Sequence, residues 1–219
     1  MKQVIVVGGT GYIGKPLVGK LLKDGYCVTA VARSGSEKKL PAGCHSIPGN
    51  ALDSRTYEDR VPRGSTFVHL IGTPHPAPWK AAQFRSVDLV SLEQSLAAAK
   101  RAGVGHFVFV SVAQPAPVMR AFIEIRIKCE EKIRESGLPA TILRPWYVLG
   151  PGHYWPYVLV PFYKVLEAIP ATKESAVRLG LVRRSQMVNA LASAVASDAR
   201  GVRVLETVGI RSAGPEYFR

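Results

Sequence analysis

Short runs of β-branched and aromatic residues alternate along the chain with longer stretches in which apolar positions recur every three to four residues. That alternation predicts βαβ units and a mainly parallel, doubly wound sheet. Strands are predicted over 4–7, 28–32, 45–47, 66–71, 107–110 and 140–143. The fifth, Phe107-Val108-Phe109-Val110, is apolar at every position, as a strand covered on both faces requires. Helices are predicted over 13–23, 81–102 and 119–135. The first turns Leu17, Val18, Leu21 and Leu22 inward and ends at Gly25; the last is closed by Gly137. A polar loop covers 33–39, a brief helix opens at Ser54, and Gly72, Pro74, Pro76 and Pro78 break the chain after the fourth strand.

Beyond Pro145 the pattern changes. Residues 151–170 are rich in Pro, Trp and Tyr, and the remainder predicts a strand near 177–181, a helix over 185–197 and a strand over 202–205. A single domain over 1–219 is expected, with a core of about 150 residues and a small C-terminal cap, over 151–219, carrying substrate-side elements.

Composition narrows the function classes. Of 219 residues, 47% are hydrophobic and 21% charged, enough to bury a core and too apolar for general disorder. The net charge of +13 raises the question of nucleic acid. Its cations are scattered from Lys2 to Arg219, with short doublets such as Lys38-Lys39 and Arg183-Arg184, and no basic block is interleaved with aromatics. Nucleic-acid binding is therefore not expected. A diffuse positive field attracts anions in general, dinucleotide phosphates and acidic membrane or protein surfaces among them. Cys27, Cys44 and Cys129 lack metal-ligand spacing and are expected to be reduced structural thiols, with no metal site. The chain enters a strand at once, and its longest apolar stretch, 157–165, is interrupted by Pro161 and Lys164. No leader and no transmembrane span are expected, and a cytoplasmic location follows.

The strongest chemical signal is Gly8-Gly9-Thr10-Gly11-Tyr12-Ile13-Gly14, placed between the first strand and the first helix. Glycines at positions 8, 11 and 14 permit the sharp turn, close approach of backbone to a pyrophosphate, and tight packing of helix on strand. Phosphates then meet free N–H groups at the positive end of the helix. Gly8, Thr10, Gly11, Tyr12, Ile13 and Gly14 are the candidate cofactor-binding residues of this turn.

With this turn, and with Ser136-Gly137-Leu138-Pro139 leading into Thr141-Ile142-Leu143-Arg144-Pro145, the chain resembles the short-chain dehydrogenase/reductase superfamily. The likeness is to its extended and atypical branches, which include epimerase/dehydratase-like and nitrogen-metabolite-regulator (NmrA-like) proteins. It covers roughly the first 150 residues and implies a Rossmann fold binding a nicotinamide dinucleotide.

The end of the second strand selects the dinucleotide. A carboxylate there favours NAD, and a cation accommodates the 2′-phosphate of NADP. The chain reads Ala32-Arg33-Ser34 with no acid before Glu37, so Arg33 and Ser34 point to NADP(H), with NAD(H) as the alternative. The resemblance places Asn50 and Ala51 beside the adenine, Ile71, Gly72 and Thr73 near the nicotinamide-side ribose, and Pro145 among the cofactor contacts.

Catalysis is where the chain departs from the family. Family reductases carry a serine after the fifth strand and Tyr-x-x-x-Lys on the following helix. Ser111 matches the serine and is the catalytic candidate. Anchoring on Glu130 and the helix end at Ser136-Gly137 puts Phe122 at the tyrosine and Arg126 at the lysine; the neighbouring register gives Glu124 and Lys128, which read as an i,i+4 surface ion pair. Phenylalanine has no proton to give, so it cannot be a general acid. Arg126 can still hold the cofactor through its donors. His75, Tyr147, His153 and Tyr154 are alternative proton carriers around the cleft, and Trp79, Trp146 and Trp155 are candidates to line an apolar ligand pocket. Two readings stay open: an NADP(H)-dependent oxidoreductase or epimerase acting on a small molecule, and a non-enzymatic dinucleotide-binding sensor or accessory subunit.

Overall fold

In β1 (Gln3–Val7) alternate side chains leave the strand on opposite sides. Val4 and Val6 enter one apolar cluster and Ile5 and Val7 the other, so this strand is buried on both faces. The computed structural model describes residues 2–116, 118–151, 179–198 and 200–213. Along it run α1 (Gly14–Lys23), β2 (Cys27–Ala32), β3 (His45–Pro48), β4 (Thr66–His69), α2 (Ala81–Gln83), α3 (Val90–Ala102), β5 (His106–Val110), α4 (Arg120–Glu135), β6 (Ala140–Arg144), β7 (Val148–Leu149), β8 (Val182–Arg183), α5 (Arg184–Ala196), β9 (Val202–Glu206) and α6 (Thr207–Ser212).

Seven strands form one sheet in the order β3-β2-β1-β4-β5-β6-β9, and every pairing is parallel. β7 and β8 make a separate two-stranded sheet. The direction of winding reverses between β1 and β4, so a crevice opens at their carboxyl ends, where doubly wound folds take their ligands. Leu17, Val18 and Leu21 of α1 and Met187, Val188 and Leu191 of α5 cover one face. Leu92, Leu96 and Ala99 of α3 and Ile125, Cys129 and Ile133 of α4 cover the other.

Several elements differ from the sequence reading. The helix predicted over 81–102 is divided: a π-helical stretch, Phe84–Leu89, separates α2 from α3. The wider turn brings both Phe84 and Asp88 into the interior. β4 stops at His69, although Leu70 N still donates to the Val7 carbonyl at 2.8 Å, because β1 turns away at Gly8. The strand expected near 177–181 lies partly outside the described residues, and β8 begins only at Val182. The tail also enters the main fold: β9 extends the sheet beside β6, and α5 contributes side chains that are fully buried. The short strand β7 and helix α6 had no periodic signal long enough to read.

Candidate functional site

Pairing register brings the predicted site together. The row Ile47, Val31, Val7, His69, Phe109, Ile142 and Val204 crosses the whole sheet. Two residues further along each strand direction stand Gly49, Arg33, Gly9, Ile71, Ser111 and Arg144. The glycine turn, Arg33, the 49–51 turn, the 71–73 segment, Ser111 and Pro145 therefore share one edge, although they come from six separate parts of the chain.

The turn itself is built for close approach. Gly8 has φ +96°, and a Cβ there would lie 3.0 Å from the Leu70 carbonyl carbon. A Cβ on Gly14 would overlap the carbonyl oxygen of Gly8. Gly11 N donates to that same oxygen at 3.0 Å, closing the turn. No side chain caps the start of α1, and its first turn carries no acid. A helix start with no side-chain cap and no acid, reached through glycines that keep the backbone open, fits a pyrophosphate.

At the β2 end of the crevice, Arg33 and Ser34 are exposed just after the strand, and no ion pair holds Arg33 among the described residues. Asn50 sits in a tight turn: its Oδ1 accepts from Leu52 N at 3.1 Å and its N–H donates to Thr56 Oγ1 at 2.8 Å. The carboxamide oxygen is thus committed to the turn, and Ala51 follows it half-buried.

At the opposite end of the crevice lies a cavity of about 310 Å³. Tyr12 and Ile13 from the glycine turn, Thr73, Ser111, Phe122, Arg126 and Pro145 line it, together with His75, Trp146 and Tyr147. Phe122, at the position expected for the acid, packs its ring 5.0 Å from that of Phe84. Arg126 donates from Nη1 to the Val110 carbonyl at 2.9 Å and from Nη2 to Asp88 Oδ1 at 2.7 Å. Its guanidinium lies 5.4 Å from the Phe109 ring centre and 5.0 Å from that of Phe122. Asp88 Oδ2 accepts from both N and Oγ1 of Thr73, at 2.9 and 2.6 Å. A Cβ on Gly72 would come within 2.5 Å of Arg126 Nη2, so a side chain there would displace the guanidinium.

Ser111 is buried, and its hydroxyl donates to Glu130 Oε1 at 2.6 Å. Glu130 also accepts from Gln114 Nε2 at 3.0 Å, Arg134 Nη2 at 3.1 Å and Arg144, whose Nε is 2.9 Å away and whose Nη2 reaches the second oxygen. Burial pushes this carboxyl up, but the bonds from Arg144, Ser111 and Arg134 outweigh it and hold it below the usual carboxylate range. A second hollow of about 480 Å³ beside Arg120, Glu124 and Ile127 touches none of the candidate cofactor residues.

The remaining candidates separate clearly. His75, Tyr147 and Trp146 line the cavity, whereas Trp79 is 83% exposed and does not. His153, Tyr154 and Trp155 lie outside the described residues. Glu124 and Lys128 are exposed and form no ion pair with each other among the described residues, contrary to the expectation from their spacing. The three cysteines are free, and no group of His, Cys, Asp or Glu among the described residues is arranged to hold a metal. No helix among the described residues is long and apolar enough to cross a membrane.

Asp88 was missed in the sequence. A signal was present, since it shares a helical face with Leu92, Ser95 and Ala99, and an acid on a buried face needs a partner.

The strand order and the uncapped glycine turn are those of a Rossmann-type dinucleotide-binding fold. The chain belongs to the NAD(P)H-binding family, whose model matches residues 8–153. It is 28% identical over 149 residues to the Photosystem II assembly factor Ycf39 of Cyanophora paradoxa, covering 65% of this chain and 44% of that protein. It is also 28% identical over 160 residues to a chloroplastic divinyl chlorophyllide a 8-vinyl-reductase of Oryza sativa subsp. indica, covering 65% and 39%. The chain thus spans less than half the length of these two relatives. Among solved structures it is similar in fold to the Bordetella bronchiseptica enzyme WbmH in complex with NAD+, with a TM-score of 0.69 at 19% identity over 94% of this chain and 76% of that one.

Proposed function

We propose that the protein is an NADP(H)-binding module that works by holding the dinucleotide, as a redox-responsive sensor or accessory subunit, and that the nicotinamide end occupies the cavity beside the glycine turn. The observation that carries this reading is that the side chains at the positions expected to transfer protons are engaged in packing and ion pairing. Phe122 stands where the acid is expected, Arg126 is tied to Asp88 and Val110, and the Ser111 hydroxyl donates to Glu130. A guanidinium is permanently charged and does not shuttle protons. When bound, a nicotinamide dinucleotide supplies hydride exchange at its ring. The chain's own residues bind and orient it: backbone amides of 8–14 at the pyrophosphate, Arg33 and Ser34 at the 2′-phosphate, Asn50 and Ala51 at the adenine, Ile71, Gly72 and Thr73 at the second ribose, and Pro145 and Arg126 beside the ring. The relationship to an assembly factor supports a role without turnover.

A second reading is supported by Tyr12, His75 and Tyr147, proton-bearing side chains lining the same cavity, and by the similarity to a reductase. In that case the protein is an oxidoreductase acting on a small planar molecule, with Ser111 as its catalytic serine. Titration calorimetry with NADPH and NADH tests the shared premise, since neither binding would end both readings. NADPH oxidation across a panel of carbonyl and enone compounds separates them. Turnover that disappears in Ser111→Ala would replace the sensor with the enzyme.

A further inference from the structure

We infer that the cavity beside the glycine turn discriminates between redox states of the dinucleotide, taking the uncharged reduced nicotinamide in preference to the cationic oxidised ring, with Arg126 as the specificity-determining residue. This deepens the proposed function and rests on its placement of the nicotinamide end in that cavity.

The lining supplies the first argument. Among the described residues that wall the cavity there is no carboxylate, and Arg126 is the one permanently charged side chain. Asp88 neutralises it only from behind. The Asp88 side chain is completely buried and does not reach the cavity, whereas the Arg126 side chain retains 8% exposure and forms part of the wall. The pair is a dipole with its positive end toward the ligand.

The second argument is that this dipole cannot turn. Nη1 is held by the Val110 carbonyl and Nη2 by Asp88, and the guanidinium lies over the rings of Phe109 and Phe122. Asp88 is in turn held by two bonds from Thr73 and sits on the π-helical stretch that turns it inward. One donor of the guanidinium, Nε, is buried with no partner. A site arranged for a cation would not keep a fixed guanidinium with an unanswered donor in its wall. The other nearby carboxylate, Glu130, is matched by Arg144 and Arg134 and lies on the far side of the Ser111 hydroxyl.

The field of Arg126 is felt by its neighbours. His69, which packs 5.8 Å from the same Phe109 ring, is pushed down to about 3, first by burial and then by the Arg126 charge.

The two redox forms share their phosphates, riboses and adenine, so those contributions cancel in the ratio of affinities. What remains is the ring, neutral when reduced and singly positive when oxidised. A partly offset unit charge a few ångströms away, at an effective dielectric near 20, corresponds to a preference of roughly tenfold.

Calorimetric titration of the full chain tests this with three probes: NADPH, NADP+ and 2′-phospho-ADP-ribose, which has no nicotinamide. Salt of about 0.15 M limits the contribution of the molecule's diffuse surface charge, since the Debye length is then about 8 Å. NADPH should bind roughly tenfold tighter than NADP+. Arg126→Gln should bring the ratio close to one while leaving 2′-phospho-ADP-ribose affinity within about twofold, and Arg126→Lys, which keeps the charge, should retain most of the preference. If Arg126→Gln fails to fold because Asp88 is left unpaired, the double variant Asp88→Asn/Arg126→Gln removes both charges and should give the same loss. Equal wild-type affinity for NADPH and NADP+ overturns the inference while the dinucleotide-binding function stands. A preference that survives in the variants overturns the role of Arg126. Failure of all three probes to bind removes the proposed function and the inference together.

Discussion

Gly14 and Arg33 mark the two ends of what single residues decide in this site. Gly14 is required by backbone: its Cα faces the carbonyl oxygen of Gly8, and any Cβ must push strand and helix apart. Gly14→Ala should therefore lower stability by about 1–3 kcal/mol, the usual range for overpacking, and should also lose dinucleotide binding. Urea unfolding and calorimetry read the two effects, and a stable variant that binds normally would refute this account of the turn. Arg33 is the opposite case, an exposed side chain whose removal leaves the fold untouched. Under the NADP(H) reading, Arg33→Ala should weaken NADPH by roughly 10- to 100-fold, the worth of a hydrogen bond to a charged group, and leave NADH unchanged. Parallel loss for both nucleotides would place Arg33 away from the 2′-phosphate.

Helix α4 and the π-helical stretch before α3 show how elements place charge. α4 carries Phe122 and Arg126 toward the cavity and Glu130 one turn further along, under the end of β5. Glu130 is 1% exposed and bound by two arginines, so removing its charge leaves Arg144 and Arg134 without their shared buried carboxylate. Glu130→Gln should cost about 3 kcal/mol at neutral pH, near the low end for breaking a buried pair, because the amide keeps some of the bonds. Its pH dependence follows from the direction of its shift. A carboxyl held below its ordinary value of 4.5 binds fewer protons in the folded chain than in the unfolded one as pH falls below that value. Its stabilisation is present above the unfolded pKa and is lost as pH falls through the lower, folded one. Urea midpoints measured from pH 7 down to pH 3 should fall more steeply in the wild type than in Glu130→Gln; parallel curves would contradict the shift.

At the scale of the molecule, the sheet needs its tail. α5 lies beside α1 over Val4, Val6, Val68 and Val108, and its Leu191 is fully buried in that cluster. Leu191→Ala should cost about 2–5 kcal/mol, as large-to-small changes in packed cores do. Urea unfolding checks this, and a change well under 1 kcal/mol would mean that α5 is dispensable to the core. The same architecture sets where the field of the +13 charge matters. It draws anions to the surface in general, but the crevice at the winding reversal between β1 and β4 determines which anion is held.

The sequence by itself determined the parallel order of strands and helices, the glycine turn and the class of ligand. Each of these is written in local periodicity or in a contiguous motif, where backbone sterics and the spacing of apolar residues act over a few positions. Tertiary structure decided the rest. It alone shows that Asp88 and Arg126, 38 residues apart, form one buried pair. It alone shows that the Ser111 hydroxyl answers to Glu130, that β9 closes the sheet beside β6, and that Trp79 stands outside the cavity that Trp146 lines. The physical reason is the same in each case: burial, and with it the energy of a charge or a hydroxyl, depends on which distant segments pack together, and no local pattern encodes that.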